Sequence, residues 1–144
     1  MVKIGRRTTF NAAHRLHNDN WSQEKNIAVF GKCNSPNYHG HNYVLETWVE
    51  GEIDPETGFV ISLTELKNII KEEIEEEFDH RNLNLDVAAF ENLNPTAENI
   101  AKVIYEKLKP RLANNKLTIR LYETQNNMVE YTGKELRITN ETNT

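Results

Sequence analysis

A chain of 144 residues with 38% apolar and 27% charged side chains has the size and composition of one globular domain. Its formal charge of −5 argues against nucleic acid as the main partner, because phosphate-binding surfaces are basic. A single cysteine excludes an internal disulfide, and no apolar run approaches the roughly 20 residues that cross a bilayer. The first seven residues lack the apolar core of a signal peptide, so we expect a cytoplasmic protein.

The first half of the chain has the alternation typical of β-strands. Residues 3–13 place Ile4, Phe10 and Ala12 on one face and include two threonines of high β-propensity, which predicts a strand. Residues 42–50 alternate in the same way and predict a second strand. The turn-forming residues 54–58 are followed by Phe59, Val60 and Ile61, which predict a short strand returning as a hairpin. Residues 18–32, between the two long strands, are rich in polar and turn-forming residues and predict a loop.

The second half predicts two helices followed by two strands. Ser62 and Glu65 form a capping box that begins a helix, and apolar residues continue at helical spacing to Phe78. Residues 94–98 start a second helix, with Pro95 tolerated in its first turn, and Pro110 stops it. Residues 117–123 and 128–131 alternate as strands. This order predicts an α+β fold in which two helices cover one face of an antiparallel sheet.

The other face of that predicted sheet raises the question of oligomerisation. We place Phe10, Tyr43 and Leu45 on the face that the helices leave open. Apolar side chains there require cover, so the pattern favours a protein that buries this face against another subunit.

The segment 33–43 contains the only cysteine and two of the five histidines. His39 and His41 are two positions apart on a strand and therefore share a face, which suits zinc chelation. His14, at the end of the first predicted strand, is the best third ligand. Three imidazoles would leave a fourth zinc position open, as in catalytic sites. Cys33 is either a further ligand or a reactive group beside the metal.

Two acidic positions each leave two interpretations open. Asp79 and His80 follow a predicted helix, so the carboxylate either orients the imidazole or both residues only close the helix. Glu123 ends a strand whose core-facing side chains are apolar. It lies either at the exposed rim of the sheet or inside a pocket.

Six motifs in this order make the chain resemble the 6-pyruvoyltetrahydropterin synthase family over nearly its whole length. They are FNAAHRL (10–16), CNSPNYHGHNY (33–43), GEIDP (51–55), DHRNL (79–83), PTAEN (95–99) and YET (122–124). The resemblance implies one domain over residues 1–136, with 137–144 as a disordered tail. It also implies the tunnelling fold, with a four-stranded antiparallel sheet and two helices on its outer face. Three subunits would close a twelve-stranded barrel, and two trimers would form a homohexamer.

The resemblance further implies a zinc-dependent lyase of tetrahydrobiopterin biosynthesis. Its substrate would be 7,8-dihydroneopterin triphosphate, which loses triphosphate as its side chain rearranges to give 6-pyruvoyltetrahydropterin. One Zn²⁺ per subunit is expected, and a Mg²⁺ dependence is considered as well. Candidate cations for the triphosphate are Lys25, Lys32 and Arg81.

The same resemblance implies roles for individual residues. His14, His39 and His41 match the zinc ligands, and Cys33 matches the general base. The remaining matches are Asp79 with His80 as the pair that assists the base, Glu123 as the carboxylate that anchors the pterin, and Thr96 with Glu98 near the pterin pocket.

Two alternatives remain. One is 6-carboxytetrahydropterin synthase of queuosine biosynthesis, which takes the same substrate and also releases acetaldehyde. Five residues separate Cys33 from His39, which resembles the pyruvoyl-forming branch. The other alternative is a non-catalytic zinc and pterin-binding protein in which Cys33 is a fourth ligand.

Overall fold

A five-stranded sheet forms the centre of the computed structural model, which describes residues 1–133. The predicted tail at 137–144 lies outside the described residues. The strands lie in the order β3-β1-β2-β4-β5. Their bounds are β1 (Val2–His14), β2 (His39–Gly51), β3 (Arg81–Asn82), β4 (Lys116–Tyr122) and β5 (Met128–Tyr131).

The four longer strands are antiparallel, and the two longest define the register of the site. β1 and β2 pair along their full length, with Phe10 opposite Tyr43 and His14 opposite His39. The short β3 runs parallel to β1 at Ala12 and Ala13. The sheet is therefore mixed and five-stranded, which differs from the expected four antiparallel strands.

The predicted strand at residues 59–61 is not formed. The Asp54 N–H donates to the Phe59 carbonyl at 2.9 Å and the Gly58 N–H to the Asp54 carbonyl at 2.7 Å. These bonds stay within the loop, and Phe59 remains 54% exposed. Val60 and Ile61 pack against the core without pairing with a strand.

A short helix, α1 (Gln23–Phe30), occupies most of the segment predicted as a loop, and a 3₁₀ turn, Gly31–Asn34, follows it. Ser22 caps α1 by accepting from the Lys25 N–H. The apolar residues Ile27 and Val29 are more than half exposed, whereas the buried residue is Asn26. The prediction failed because α1 does not bury an apolar stripe.

The two predicted long helices are present. Residues 63–78 form one helical run made of α2 (Leu63–Ile70), a π-helical turn (Lys71–Glu75) and α3 (Glu76–Phe78), and Ser62 caps it as predicted. Short helical segments follow at α4 (Leu83–Asp86) and at a 3₁₀ turn (Ala88–Phe90). The second long helix is α5 (Ala97–Leu108), which a 3₁₀ turn (Lys109–Leu112) extends. Within residues 1–133, none of the helices is long and apolar enough to cross a bilayer.

The core lies between the helices and one face of the sheet. Phe10, Tyr43 and Leu45 are at most 2% exposed and belong to this core, and the Phe10 ring packs edge-on against Phe78 of α3. The prediction that these three residues lie on the uncovered face is therefore wrong. Alternation assigned them correctly to one face, but it does not tell which face the helices cover.

The opposite face of the sheet carries a network of charged side chains. Glu46 lies there between Arg7 and Arg120, at 2.6 and 3.5 Å, and Arg120 also pairs with Glu130 at 2.9 Å. Burial alone would raise the pKa of Glu46, but hydrogen bonds from Trp48 and Arg7 and the arginine charges lower it. Val44, Trp48 and Tyr122 share this face and are partly exposed, so it keeps some apolar surface beside the ion pairs.

Candidate active site

Three histidine side chains meet where β1 ends and β2 begins. His14 and His39 face each other in the strand register, and His41 lies opposite Ala12. Their ring centroids are 4.5 to 5.1 Å apart. One nitrogen from each ring lies within 4.8 Å of the other two. The prediction that these three residues form one cluster able to hold a metal is confirmed.

His14 is held in the tautomer that a metal requires. Its Nδ1 lies 2.7 Å from the carbonyl oxygen of Pro95. Because a carbonyl only accepts, Nδ1 must carry the proton, and Nε2 is left with a free lone pair. Burial lowers the pKa of His14 to about 4. The ring is therefore neutral at physiological pH, which is the state that binds metal.

The ring nitrogens of the cluster are suited to bind a cation. Four are buried without a hydrogen-bond partner in the described part of the chain, namely His14 Nε2, both nitrogens of His39 and His41 Nε2. Burial also lowers the pKa of His39, and the charge of His41 acts in the same direction. Unpartnered buried polar atoms cost free energy, and a cation bound by one nitrogen of each ring would remove most of that cost.

Glu123 lies beside the cluster. Its Oε1 is 3.7 Å from His41 Nε2, and its side chain is 22% exposed. The Glu123 N–H donates to the Asn127 carbonyl at 3.1 Å, which fixes the residue just after β4. Of the two positions left open by the sequence, the exposed rim does not apply, because the carboxylate is partly buried beside a histidine.

The hydroxyl of Tyr43 lies below the cluster, 3.3 Å from His14 Nδ1. Burial raises the pKa of Tyr43, and the charges of Glu123 and Cys33 raise it further.

Cys33 is half-buried in the 3₁₀ turn that precedes β2. Its thiol is not a member of the three-histidine cluster, so the described geometry leaves a fourth metal position free. The turn is attached to the end of β1 because the Leu16 N–H donates to the Cys33 carbonyl at 2.9 Å.

Asp79 and His80, for which the sequence left two interpretations open, have side chains in contact. His80 Nδ1 lies 3.0 Å from Asp79 Oδ2, and the Asn11 N–H donates to Asp79 Oδ1 at 2.8 Å. The Asn11 bond lowers the pKa of Asp79, and His80 lowers it further. In residues 1–133, no hydrogen bond joins this pair to Cys33 or to the histidine cluster.

Thr96 and Glu98 lie at the start of α5 and are not members of the histidine cluster. The Thr96 hydroxyl caps α5 by accepting from the Asn99 N–H at 3.2 Å, and Glu98 is exposed. The neighbouring Pro95 contacts His14, which places the start of α5 near the site. Pterin binding by Thr96 and Glu98 stays a prediction.

The sequence profile of 6-pyruvoyl tetrahydropterin synthase matches residues 3–134. The chain belongs to this family. It is 44% identical to human 6-pyruvoyl tetrahydrobiopterin synthase over 92% of each chain. It is 32% identical to 6-carboxy-5,6,7,8-tetrahydropterin synthase of Rickettsia typhi, over 90% of this chain and 99% of that relative.

The fold agrees with this assignment. The solved structure of Caenorhabditis elegans 6-pyruvoyl tetrahydropterin synthase superposes with a TM-score of 0.87 at 39% identity, covering 92% of this chain and 96% of the other. The α+β class and the family resemblance are therefore confirmed.

Sequence reasoning missed two groups at the site. The Pro95 carbonyl is a backbone atom 81 positions from His14, and no side-chain pattern signals such a contact. Tyr43 did have a signal, because it is two positions after His41 and shares its strand face. Its contact with His14 follows from that register.

Proposed function

We propose that this chain is a 6-pyruvoyl tetrahydropterin synthase, a lyase that eliminates triphosphate from 7,8-dihydroneopterin triphosphate while the side chain rearranges. The observation that carries the proposal is the cluster of His14, His39 and His41, with unpartnered buried nitrogens and Glu123 at 3.7 Å from His41. A neutral three-imidazole set with a free fourth position has the chemistry of a catalytic zinc site.

The three histidines would hold Zn²⁺ through one nitrogen each. When bound there, Zn²⁺ supplies Lewis-acid polarisation of the substrate's side-chain hydroxyls and acidifies the neighbouring C–H bonds. The Pro95 carbonyl keeps the His14 proton on Nδ1, so Nε2 is available without a change of tautomer.

Cys33 would act as the general base and Glu123 as the pterin anchor. As a thiolate, Cys33 would take a proton from the substrate side chain, and an ionised Glu123 would accept two hydrogen bonds from the N–H edge of the pterin. Thr96 and Glu98, near the start of α5, would line the same pocket.

The Asp79–His80 pair would assist Cys33 of a neighbouring subunit. Within residues 1–133, β1 pairs with β3 only at Ala12 and Ala13, so most of that edge has no strand partner among these residues. An unpaired edge favours pairing with another copy, and this supports a barrel of three subunits and a homohexamer of two trimers. We further propose a cytoplasmic location.

A complementation experiment tests the shared site. Cys33→Ala and His80→Ala proteins, each inactive alone, are mixed, unfolded and refolded together. Hybrids should regain activity, since some sites then contain both native groups. Absence of any recovery in hybrids confirmed by mass would contradict the shared site while leaving the reaction itself unaffected.

The product is tested by incubating purified protein with 7,8-dihydroneopterin triphosphate. We expect triphosphate and 6-pyruvoyltetrahydropterin without acetaldehyde, because the human pyruvoyl relative is more similar than the Rickettsia carboxy relative. Stoichiometric acetaldehyde would instead assign the carboxy-forming reaction. Assays with and without added Mg²⁺ show whether a second cation is required.

The Cys33→Ala variant distinguishes a zinc ligand at position 33 from a general base at that position. This protein should retain one zinc per subunit by elemental analysis while losing turnover. Loss of zinc with Cys33→Ala would favour the non-catalytic zinc protein with Cys33 as the fourth ligand.

A further inference from the structure

The chain leaves the sheet directly after His14, and asparagine side chains replace the missing strand partner. Asn84 bonds to both backbone groups of Arg15, donating to its carbonyl at 2.9 Å and accepting from its N–H at 2.8 Å. The other asparagine partners of this segment are Asn34 for the Leu16 carbonyl, Asn94 for the His17 N–H and Asn26 for both backbone groups of Asn18. Residues 15–18 therefore have a fixed backbone without belonging to a strand.

Asn34 is the asparagine that ties this segment to the turn of Cys33. Its amide nitrogen lies 2.7 Å from the Leu16 carbonyl and 2.8 Å from His17 Nδ1. The Arg15 Nε–H donates to the Asn34 carbonyl at 3.0 Å. The side chain of Asn34 is only 5% exposed. Both amide protons are thus used, and both point to residues just after His14.

The turn has a second connection at Cys33 itself, whose carbonyl accepts from the Leu16 N–H at 2.9 Å. Leu16 therefore bonds through both its backbone groups to consecutive residues, Cys33 and Asn34. Because the turn is attached at two points, both its distance from Leu16 and its orientation are fixed. The attachment connects Cys33 to Leu16, which follows His14, the last residue of β1, by two positions.

We propose that Asn34 is a positioning residue for Cys33, holding the thiol at a fixed place relative to the histidine cluster. This inference rests on the proposed role of Cys33 as the general base. Proton transfer from carbon requires the base within hydrogen-bond reach of the substrate, and a displacement of about 1 Å can cost ~10²-fold in rate. An alanine at position 34 removes both donors and leaves the Leu16 carbonyl without its partner.

The matched control is Asn26→Ala. Asn26 is fully buried, and its amide donates to the Asn18 and Ser22 carbonyls at 3.0 and 3.1 Å. It holds the same segment but does not bond to the turn of Cys33. Both substitutions should lower Tm by a few degrees. Only the Asn34 substitution should affect the chemistry at Cys33.

The experiment compares wild type, Asn34→Ala, Asn26→Ala and Cys33→Ala as zinc-loaded oligomers. We expect Asn34→Ala to lower kcat about 10- to 100-fold with KM and zinc content unchanged, and to alter the rate at which iodoacetamide alkylates Cys33. Since Cys33 is the only cysteine, alkylation measures this position without reference to activity. Asn26→Ala should keep the wild-type kcat and alkylation rate.

Two results overturn the inference. One is an Asn34→Ala protein with wild-type kcat and alkylation rate, and the other is an equal loss of kcat in Asn26→Ala. If Cys33→Ala keeps its turnover, the general-base proposal falls instead. Should Asn34→Ala fail to fold, Asn34→Leu, which is close in volume and lacks both donors without adding a charge, is measured with the same expected and overturning results.

Discussion

The buried, neutral state of His14 predicts that the metal-free protein loses stability in mild acid. His14 is fully buried, and burial lowers its pKa from 6.5 to about 4. Between these values the unfolded chain binds a proton at residue 14 that the folded chain does not. The free energy of unfolding therefore falls as the pH falls through this range. The pKa difference corresponds to about 3 kcal/mol, a large share of the ~5–15 kcal/mol that stabilises a typical domain.

The assay is urea unfolding of chelator-treated protein at several pH values from 7.5 to 4, for wild type and His14→Gln. Glutamine does not titrate, so the His14→Gln protein should lack about 3 kcal/mol of the acid-induced fall seen in wild type. His80→Gln, which removes an exposed histidine, should keep most of that fall. Equal pH dependence in wild type and His14→Gln would refute the reasoning.

Further predictions concern the cluster, the pterin anchor and the sheet. His41→Ala removes one of three cluster nitrogens and should lower zinc affinity by at least ~10- to 100-fold, measured by competition with a chromophoric chelator. Glu123→Gln should raise KM by about 10-fold or more while zinc content stays at the wild-type value. Gly5→Ala places a Cβ 2.6 Å from the Trp48 ring and should destabilise the protein by about 1–3 kcal/mol in urea unfolding.

The histidine cluster shows what alternation in a sequence can predict. His39 and His41 share a face because side chains alternate along a strand, and His14 joins them because β1 and β2 pair to their ends. The first relation is local and was predicted from spacing alone. The second depends on strand register. The sequence offered His14 as the best third ligand from its place at the end of a predicted strand, and the family resemblance matched it to the ligand set.

Other features depend on contacts that local patterns do not encode. α1 was missed because its buried residue is Asn26 and not an apolar side chain. The choice of covered face was wrong for Phe10, Tyr43 and Leu45, because both faces of a sheet have the same period. The asparagine contacts with residues 15–18 join positions up to 77 apart. Asparagine is so common in loops that its presence there carried no signal.

The geometry of the Asp79–His80 pair is difficult to explain by stability alone. The His80 side chain is 83% exposed, and exposed ion pairs contribute only about 0–1 kcal/mol. Yet the Asn11 backbone fixes both residues, donating to Asp79 Oδ1 and accepting from the His80 N–H at 2.6 Å. His80 also adopts a φ of +59°, which is uncommon for a residue other than glycine. A strained, exposed and rigidly held imidazole is what a site completed by a second subunit would require.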